Sequence, residues 1–257
     1  MKTLENTAND AWADALGSVV HSGVEVNCRG MLTKELINNT MVVDMTYPEV
    51  NLSERELNVK FRAAEAAWIL SGDNRVDTIY KYCHAYKKYS DDGIFMGGAY
   101  GPPVVDQLPY IARELGKDMY SRRAVLTIWR PRPYPSRDVP CTISLQWLIR
   151  DDQLHCIANM RSNDIWLGTP YDIFAFSMIS HYIIAEFKRS VNEDMGPGLL
   201  YLNAASLHLY DYNWKDGEDA YQSIDNILDM DSFWKGNNFV FNNGRELIDF
   251  LWEQANS

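Results

Sequence analysis

The sequence is short of basic charge. It sets 24 Lys and Arg against 35 Asp and Glu, a formal net charge of −11. Affinity for a nucleic-acid polymer comes largely from cations that neutralise phosphates, so this deficit argues against such a partner. A small anionic ligand is still allowed, because a few local arginines can hold one phosphate at any net charge. Cysteine is scarce as well. The four, Cys28, Cys83, Cys141 and Cys156, form no C-x-x-C and no disulfide-dense pattern, which fits a reducing cytoplasm. The pairs Cys83–His84 and His155–Cys156 are adjacent, so their side chains point to opposite faces of a strand or about 100° apart on a helix. Neither pair matches a zinc spacing, and no metal is expected.

No apolar run reaches transmembrane length, and the opening MKTLENTANDAW lacks the apolar core of a secretory leader. A cytoplasmic protein with no membrane partner is expected. Nor does any repeat, low-complexity tract or Gly/Ser-rich linker divide the 257 residues, so one domain over 1–257 is expected. The densest breaker stretch, residues 131–140 (PRPYPSRDVP), has strand-like sequence close on both sides and reads as a loop within that domain.

Aromatics are plentiful, with 8 Trp, 15 Tyr and 9 Phe, which counts against disorder. Residues 56–70 (ELNVKFRAAEAAWIL) read as a helix apolar on most faces, hence buried. Residues 142–149 (TISLQWLI) alternate as a half-buried strand does; a turn at 150–153 and a second strand, LHCIANM, complete a hairpin. Residues 173–187 (IFAFSMISHYIIAEF) are apolar nearly all round and suit a central helix. Strand pairs mixed with buried helices predict an α+β domain around one large sheet.

Several residues could carry chemistry. Glu65 sits alone among apolar helix residues, where a carboxylate must be paired, protonated or functional. Its ordinary reading is a salt bridge to Arg62, one turn earlier; its functional reading is a general acid/base with a raised pKa. Cys141 follows a proline at a strand entrance and is either a small buried hydrophobe or a nucleophile. Arginines favour the second reading. Arg122 and Arg123 open one strand-like run and Arg161 closes the hairpin, and guanidinium groups both bind phosphate and lower a thiol's pKa. His208 and Tyr210, two apart, share one face of a strand, where they could grip a sugar hydroxyl or form a structural pair.

These residues belong to a larger pattern. P-C at 140–141, R-S-x-D at 161–164 and L-G-x-P-Y-D at 167–172 resemble the thymidylate synthase family. So do Arg29 in CRG, E-x-x-W-x-L-x-G-D at 65–73, Tyr100 in G-x-Y-G, S-R-R at 121–123 and H-x-Y at 208–210, all in family order. The resemblance implies a single thymidylate-synthase-like domain with a large twisted mixed sheet, one face of which forms a homodimer interface. It also implies a pyrimidine nucleoside monophosphate as substrate and 5,10-methylenetetrahydrofolate as cosubstrate. Cys141 would add to C6 of the pyrimidine, and Glu65 would organise water and move protons, with Tyr100 beside them. Arg29, Arg161 and Ser162 would hold the phosphate, joined by Arg122 and Arg123 from the partner chain. His208 and Tyr210 would contact the sugar, while Asp164 and Gly168 would face the folate.

The sequence departs from that family at a few positions. Asp172 stands where thymidylate synthases carry asparagine, and a carboxyl suits cytosine, with its N3 acceptor and N4 donor, better than uracil. Thr142 stands where they carry histidine. Both features, with L-I-R-D at 148–151 and N-M-R-S-N-D at 159–164, are similar to the deoxycytidylate hydroxymethylases of phages within that family. The family's tryptophans beside the methylene group align with Tyr86 and Tyr89, whose polarity suits an ordered water; drift in a variable loop is the other reading. The resemblance thus implies dCMP 5-hydroxymethylation. A dCMP or CMP methyltransferase or hydroxymethylase, a thymidylate synthase acting on dUMP, and a catalytically silent nucleotide-binding homologue are the alternatives.

Overall fold

The computed structural model describes residues 7–52, 55–131, 135–191, 195–223 and 240–257. Residues 132–134 of the predicted proline-rich loop and residues 1–6 of the opening segment lie outside the described residues. The strands are β1 (Val24–Cys28), β2 (Met31–Asp44), β3 (Val125–Thr127), β4 (Thr142–Arg150), β5 (Gln153–Met160), β6 (Asn163–Asp164) and β7 (Gly196–Tyr210). The helices are α1 (Ala8–Ser22), α2 (Val59–Leu70), α3 (Val76–Tyr80), α4 (Gly101–Lys117), α5 (Thr169–Val191), α6 (Trp214–Ser223) and α7 (Gly244–Asn256). Short 3-10 helices lie at His84–Lys88 and Asp211–Asn213.

The predicted hairpin forms as β4–β5. Asp151 and Asp152 both take left-handed backbone, φ 51° and 57°, which a two-residue hairpin turn requires and aspartate tolerates. Leu145, Trp147 and Ile149 on β4 and Leu154, Cys156 and Ala158 on β5 then point the same way into the core. The sheet has seven strands in the order β1-β2-β7-β5-β4-β3, with β6 also on β7. β5 and β6 run parallel to β7 and the remaining pairs are antiparallel, so the sheet is mixed, as expected. Helix α5 packs on β5 and β7, and α2 packs on α5. Among the described residues no helix is long and apolar enough to cross a membrane.

Helix α2 starts three residues later than its composition suggests, because the Asn58 side chain accepts from the Phe61 amide at 2.9 Å and caps it there. From Phe61 to Leu70 every residue but one is buried, and the exception is Glu65. The salt bridge read between Glu65 and Arg62 is not formed. Arg62 turns instead to Glu49, also bonds Asn51 at 3.1 Å, and lies over the Phe174 ring at 4.9 Å. An arginine buried this deeply needs a partner that is equally withdrawn from water, and Glu49 is buried too. Glu49→Gln is expected to destabilise the fold by about 3–5 kcal/mol, the cost of stranding a buried charge, seen as a lower denaturation midpoint.

Two registers build the site. Antiparallel β4 and β5 bring the residue before β4 next to the residue after β5, and the Arg161 amide donates to the Cys141 carbonyl at 2.9 Å. Parallel β6 and β7 set Asp164 directly beside His208.

Candidate active site

Cys141 is half-buried at the mouth of β4. The Arg161 guanidinium donates to the Pro140 and Val139 carbonyls at 3.0 and 2.9 Å, and these bonds hold it 3.7 Å from Cys141 Sγ. Contrary to expectation, Arg161 does not bring the Cys141 thiol below its usual range. Burial pushes the Cys141 thiol up, Arg161 pulls it down, and the carboxyls of Asp172, Asp164 and Asp138 push it up again. Desolvation outweighs one guanidinium here, because a charged sulfur in a confined site loses its hydration. Arg122 and Arg123 do not join Arg161: both are exposed ahead of β3. Arg29 is exposed in the β1–β2 turn, at φ 54°, and lies close enough to Tyr210 to influence its hydroxyl. Ser162 is half-buried between β5 and β6.

Across from the thiol stand carboxyls and phenols. Tyr100, at the start of α4, accepts the Thr142 amide on its hydroxyl at 3.3 Å, so it sits one residue from Cys141. Glu65 accepts a hydrogen bond from the Tyr86 hydroxyl. The Tyr86 ring meets Phe61 and Trp68 edge-on, with centroids 5.7 and 5.9 Å away. Residues 61, 65 and 68 fall on one face of α2, so the helix itself forms a seat for this tyrosine. Burial raises Glu65 to about 7, with the Tyr86 hydrogen bond opposing. Tyr86 is pushed well above its usual range by burial and by Glu65, so it stays protonated and donates.

Asp172 lies in the first turn of α5, its amide bonded to the Gly168 carbonyl at 3.0 Å. A helix N-terminus favours a carboxylate, yet burial, Glu65 and Asp164 together raise this carboxyl well above the usual range. Three acids in one site cannot all ionise cheaply. Asp164 Oδ1 accepts the Trp166 and Leu167 amides, both at 2.9 Å, while burial pushes its carboxyl up. Gly168 leaves room that a side chain would take: a Cβ there would stand 3.5 Å from Asp172 Oδ2.

His208 and Tyr210 do share a strand face, their rings T-shaped at 5.1 Å, and Tyr212 stacks on Tyr210 at 5.3 Å. His208 Nδ1 is buried with no hydrogen-bond partner among the described residues. An orphaned buried nitrogen costs free energy unless a ligand or water meets it. Sequence reasoning missed Arg55. Its guanidinium donates twice to the Trp166 carbonyl, at 3.1 and 2.9 Å, stacks on the Trp166 ring and adjoins Asp164 and Tyr171. Only the fold brings this loop arginine to β6; no spacing in the sequence signals it. The four cysteines are free, and no group of three His, Cys, Asp or Glu among the described residues could hold a metal.

Raised acids imply a pH effect with a definite sign. The folded protein prefers Glu65 protonated, so its contribution to stability is present below the usual 4.5 and is lost as pH rises through about 7. Glu65→Gln is therefore expected to stabilise the fold more at pH 8 than at pH 5, measured as denaturation midpoints against wild type.

A model of the thymidylate synthase family matches residues 10–226. The "Putative thymidylate synthase" of Methanosarcina mazei is 25% identical over 219 residues, covering 84% of this chain and 92% of its own length. The "Deoxyuridylate hydroxymethyltransferase" of Bacillus phage SP01 is 28% identical over 233 residues, 81% of this chain and 59% of its own. The protein of the same name in Pseudomonas phage M6 is 32% identical over 170 residues, 62% and 46% of the two chains. Family members are homodimers that bind nucleoside monophosphates and use methylenetetrahydrofolate. With the thiol, the arginine beside it and the acid cluster in place, this chain belongs to the thymidylate synthase family of one-carbon transferases.

Proposed function

We propose that the chain is a dCMP 5-hydroxymethylase that uses 5,10-methylenetetrahydrofolate. The observation that carries this reading is the place of Asp172, a carboxyl in the first turn of α5 near the Cys141 thiol, pushed well above its usual range by burial and by Glu65 and Asp164. Addition of the Cys141 thiolate to C6 drives electrons through the ring to N3 of cytosine, and that basic nitrogen takes the Asp172 proton. The resulting carboxylate then accepts from both N3–H and the N4 amine. C5 has become an enamine carbon, a far better nucleophile than before.

The site's residues suit a reduced folate. The half-buried Asp164 commits Oδ1 to backbone amides, leaving Oδ2 for a ligand N–H, and exposed Leu167 with half-buried Tyr171 offers an apolar wall beside it. When bound, the folate supplies the one-carbon unit that the activated C5 takes up. Glu65, titrating near 7, can hold or release a proton at neutral pH. Once the C5 proton has passed to a base in the site, the Tyr86–Glu65 pair can orient a water at C5's new substituent and take its proton as the hydroxymethyl group forms, the C5–C6 double bond returns and the C6–S bond breaks to free the Cys141 thiolate. His208 and Tyr210 would meet the sugar, Arg29, Arg161 and Ser162 the phosphate.

A homodimer would complete the phosphate site through Arg122 and Arg123 of the second copy. The sheet face away from the core supports this. It carries Ile143, exposed to 39%, and a hydrogen-bonded row across four strands: Thr40 to Asn203 at 2.8 Å, Asn203 to Asn159 at 3.2 Å and Asn159 to Ser144 at 3.3 Å. The reading also places the enzyme in a cytoplasm, that of a host if a phage encodes it.

The names of the phage relatives favour a second reading, hydroxymethylation of dUMP. The upward shift of Asp172 keeps uracil open as well, since a protonated carboxyl can accept from N3–H and donate to O4. Mass analysis tests both readings. Incubation with dCMP and methylenetetrahydrofolate is expected to give a product heavier by CH2O, with tetrahydrofolate left over. A gain of CH2 with dihydrofolate absorbance would make it a methyltransferase, and dUMP reacting as fast as dCMP would overturn the base assignment. No C5 proton release with any pyrimidine nucleotide would mark a silent homologue.

A further inference from the structure

Helix α7 lies outside the stretch matched by the family model, which ends at residue 226, yet it touches the elements that carry the site. Its start is tied to α5: the Gly244 amide donates to Glu186 Oε1 at 2.9 Å, and Gly244 lies so close to Tyr182 that a Cβ would fall 2.0 Å from its ring. Leu247, Leu251 and Ala255, four apart, are buried on its inner stripe, and α7 packs along α2. At its far end Trp252 Nε1 donates to Ser71 Oγ at 3.3 Å, and Asn256 Oδ1 accepts from the Tyr82 hydroxyl at 2.9 Å.

Tyr82 is held at two points. Its hydroxyl goes to α7, and its carbonyl accepts from Nδ2 of Asn58, the residue that caps α2, at 3.2 Å. Four residues on, Tyr86 delivers its hydroxyl to Glu65. The 3-10 helix His84–Lys88 that presents Tyr86 buries no residue fully. Besides the α2 seat under Tyr86 itself, its place depends on the segment before it, where the Tyr82 and Cys83 amides donate to the Ile79 carbonyl at 3.0 and 3.1 Å and Tyr82 reaches α7.

We propose that Tyr82 and Asn256 are positioning residues for the Tyr86–Glu65 pair, with α7 acting as a strut from α5 to the segment that presents Tyr86. The proposal rests on the reading that this pair faces the one-carbon transfer. It assigns catalytic consequence to a helix with no residue in the site. The titratable groups around Glu65 are Tyr86, Tyr171 and Asp172, with Tyr100 and Cys83 beyond Tyr86, and Arg62 on its own helix is engaged by Glu49. The Tyr86 hydrogen bond lowers this carboxyl, so loosening it moves Glu65 upward.

The test uses Tyr82→Phe and Asn256→Ala in the full chain, assayed with dCMP and methylenetetrahydrofolate. Each is expected to lower kcat about tenfold with KM for the nucleotide within about twofold, as misplacement without lost binding would. The acid limb of the kcat profile should move to higher pH in both. The double variant should match the singles, because both remove the same hydrogen bond. Wild-type kcat and an unmoved limb in both singles, even with a lowered denaturation midpoint, would make Asn256–Tyr82 merely structural and overturn the proposal. Tyr86→Phe separates the two ideas. If it shifts limb and product while Tyr82→Phe and Asn256→Ala do not, the strut is wrong; if it shifts neither, the reading of Tyr86 is wrong and takes the strut with it.

Discussion

Cys141→Ser is expected to lower turnover by about 10^4-fold or more, the scale of removing a covalent nucleophile. A serine hydroxyl matches the thiol in shape, and Cys141 is only half-buried, so the fold should survive with an unchanged denaturation midpoint. Nucleotide binding should persist too, since the arginines and His208 are untouched. The decisive readout is exchange of the C5 proton, which needs addition at C6 but not the later steps. Activity within tenfold of wild type would remove Cys141 from the mechanism. The structure adds a refinement. Burial and three carboxyls oppose the thiolate while Arg161 favours it, so removing Arg161 should cost kcat as well as nucleotide affinity.

Asp172→Asn is expected to reduce kcat on dCMP about 10^3-fold, the range of a lost general acid, with a smaller change in KM. Thiolate addition to cytosine places electrons on N3, which needs a proton, and an amide has none to give. Uracil asks for less: its N3 already carries hydrogen, and an amide N–H can support charge on O4. Activity on dUMP should therefore hold or rise, so the ratio of the two substrates inverts. Retained dCMP preference would count against the base-edge assignment. The pH profile carries the same information with opposite signs for two acids. Activity on dCMP needs neutral Asp172 and is lost as pH rises through its raised pKa; it needs ionised Glu65 and is lost as pH falls below about 7. A bell results, and Asp172→Asn should remove the alkaline limb.

Much of this was legible in the residues. Alternation in TISLQWLI and LHCIANM determined the β4–β5 hairpin, since a period of two leaves one face apolar and only one register buries it. The apolar run from Ile173 determined a central helix, and the motif order from Arg29 to Tyr210 determined the family and made Cys141 the candidate nucleophile. Local pattern sufficed there because each signal concerns neighbours along the chain. What the sequence could not decide was which charge meets which. Arg62 is one turn from Glu65, and spacing pairs them; the fold supplies buried Glu49 from a distant loop, takes Arg62 away and leaves Glu65 to Tyr86. The parallel pairing of β6 with β7 set Asp164 beside His208, and chain packing carried Arg55 to Trp166. The direction of titration was decided at that level too. A carboxyl's pKa follows from the water it loses and the charges it faces, so Asp172 is pushed well above its usual range only because the tertiary structure encloses it with Glu65 and Asp164.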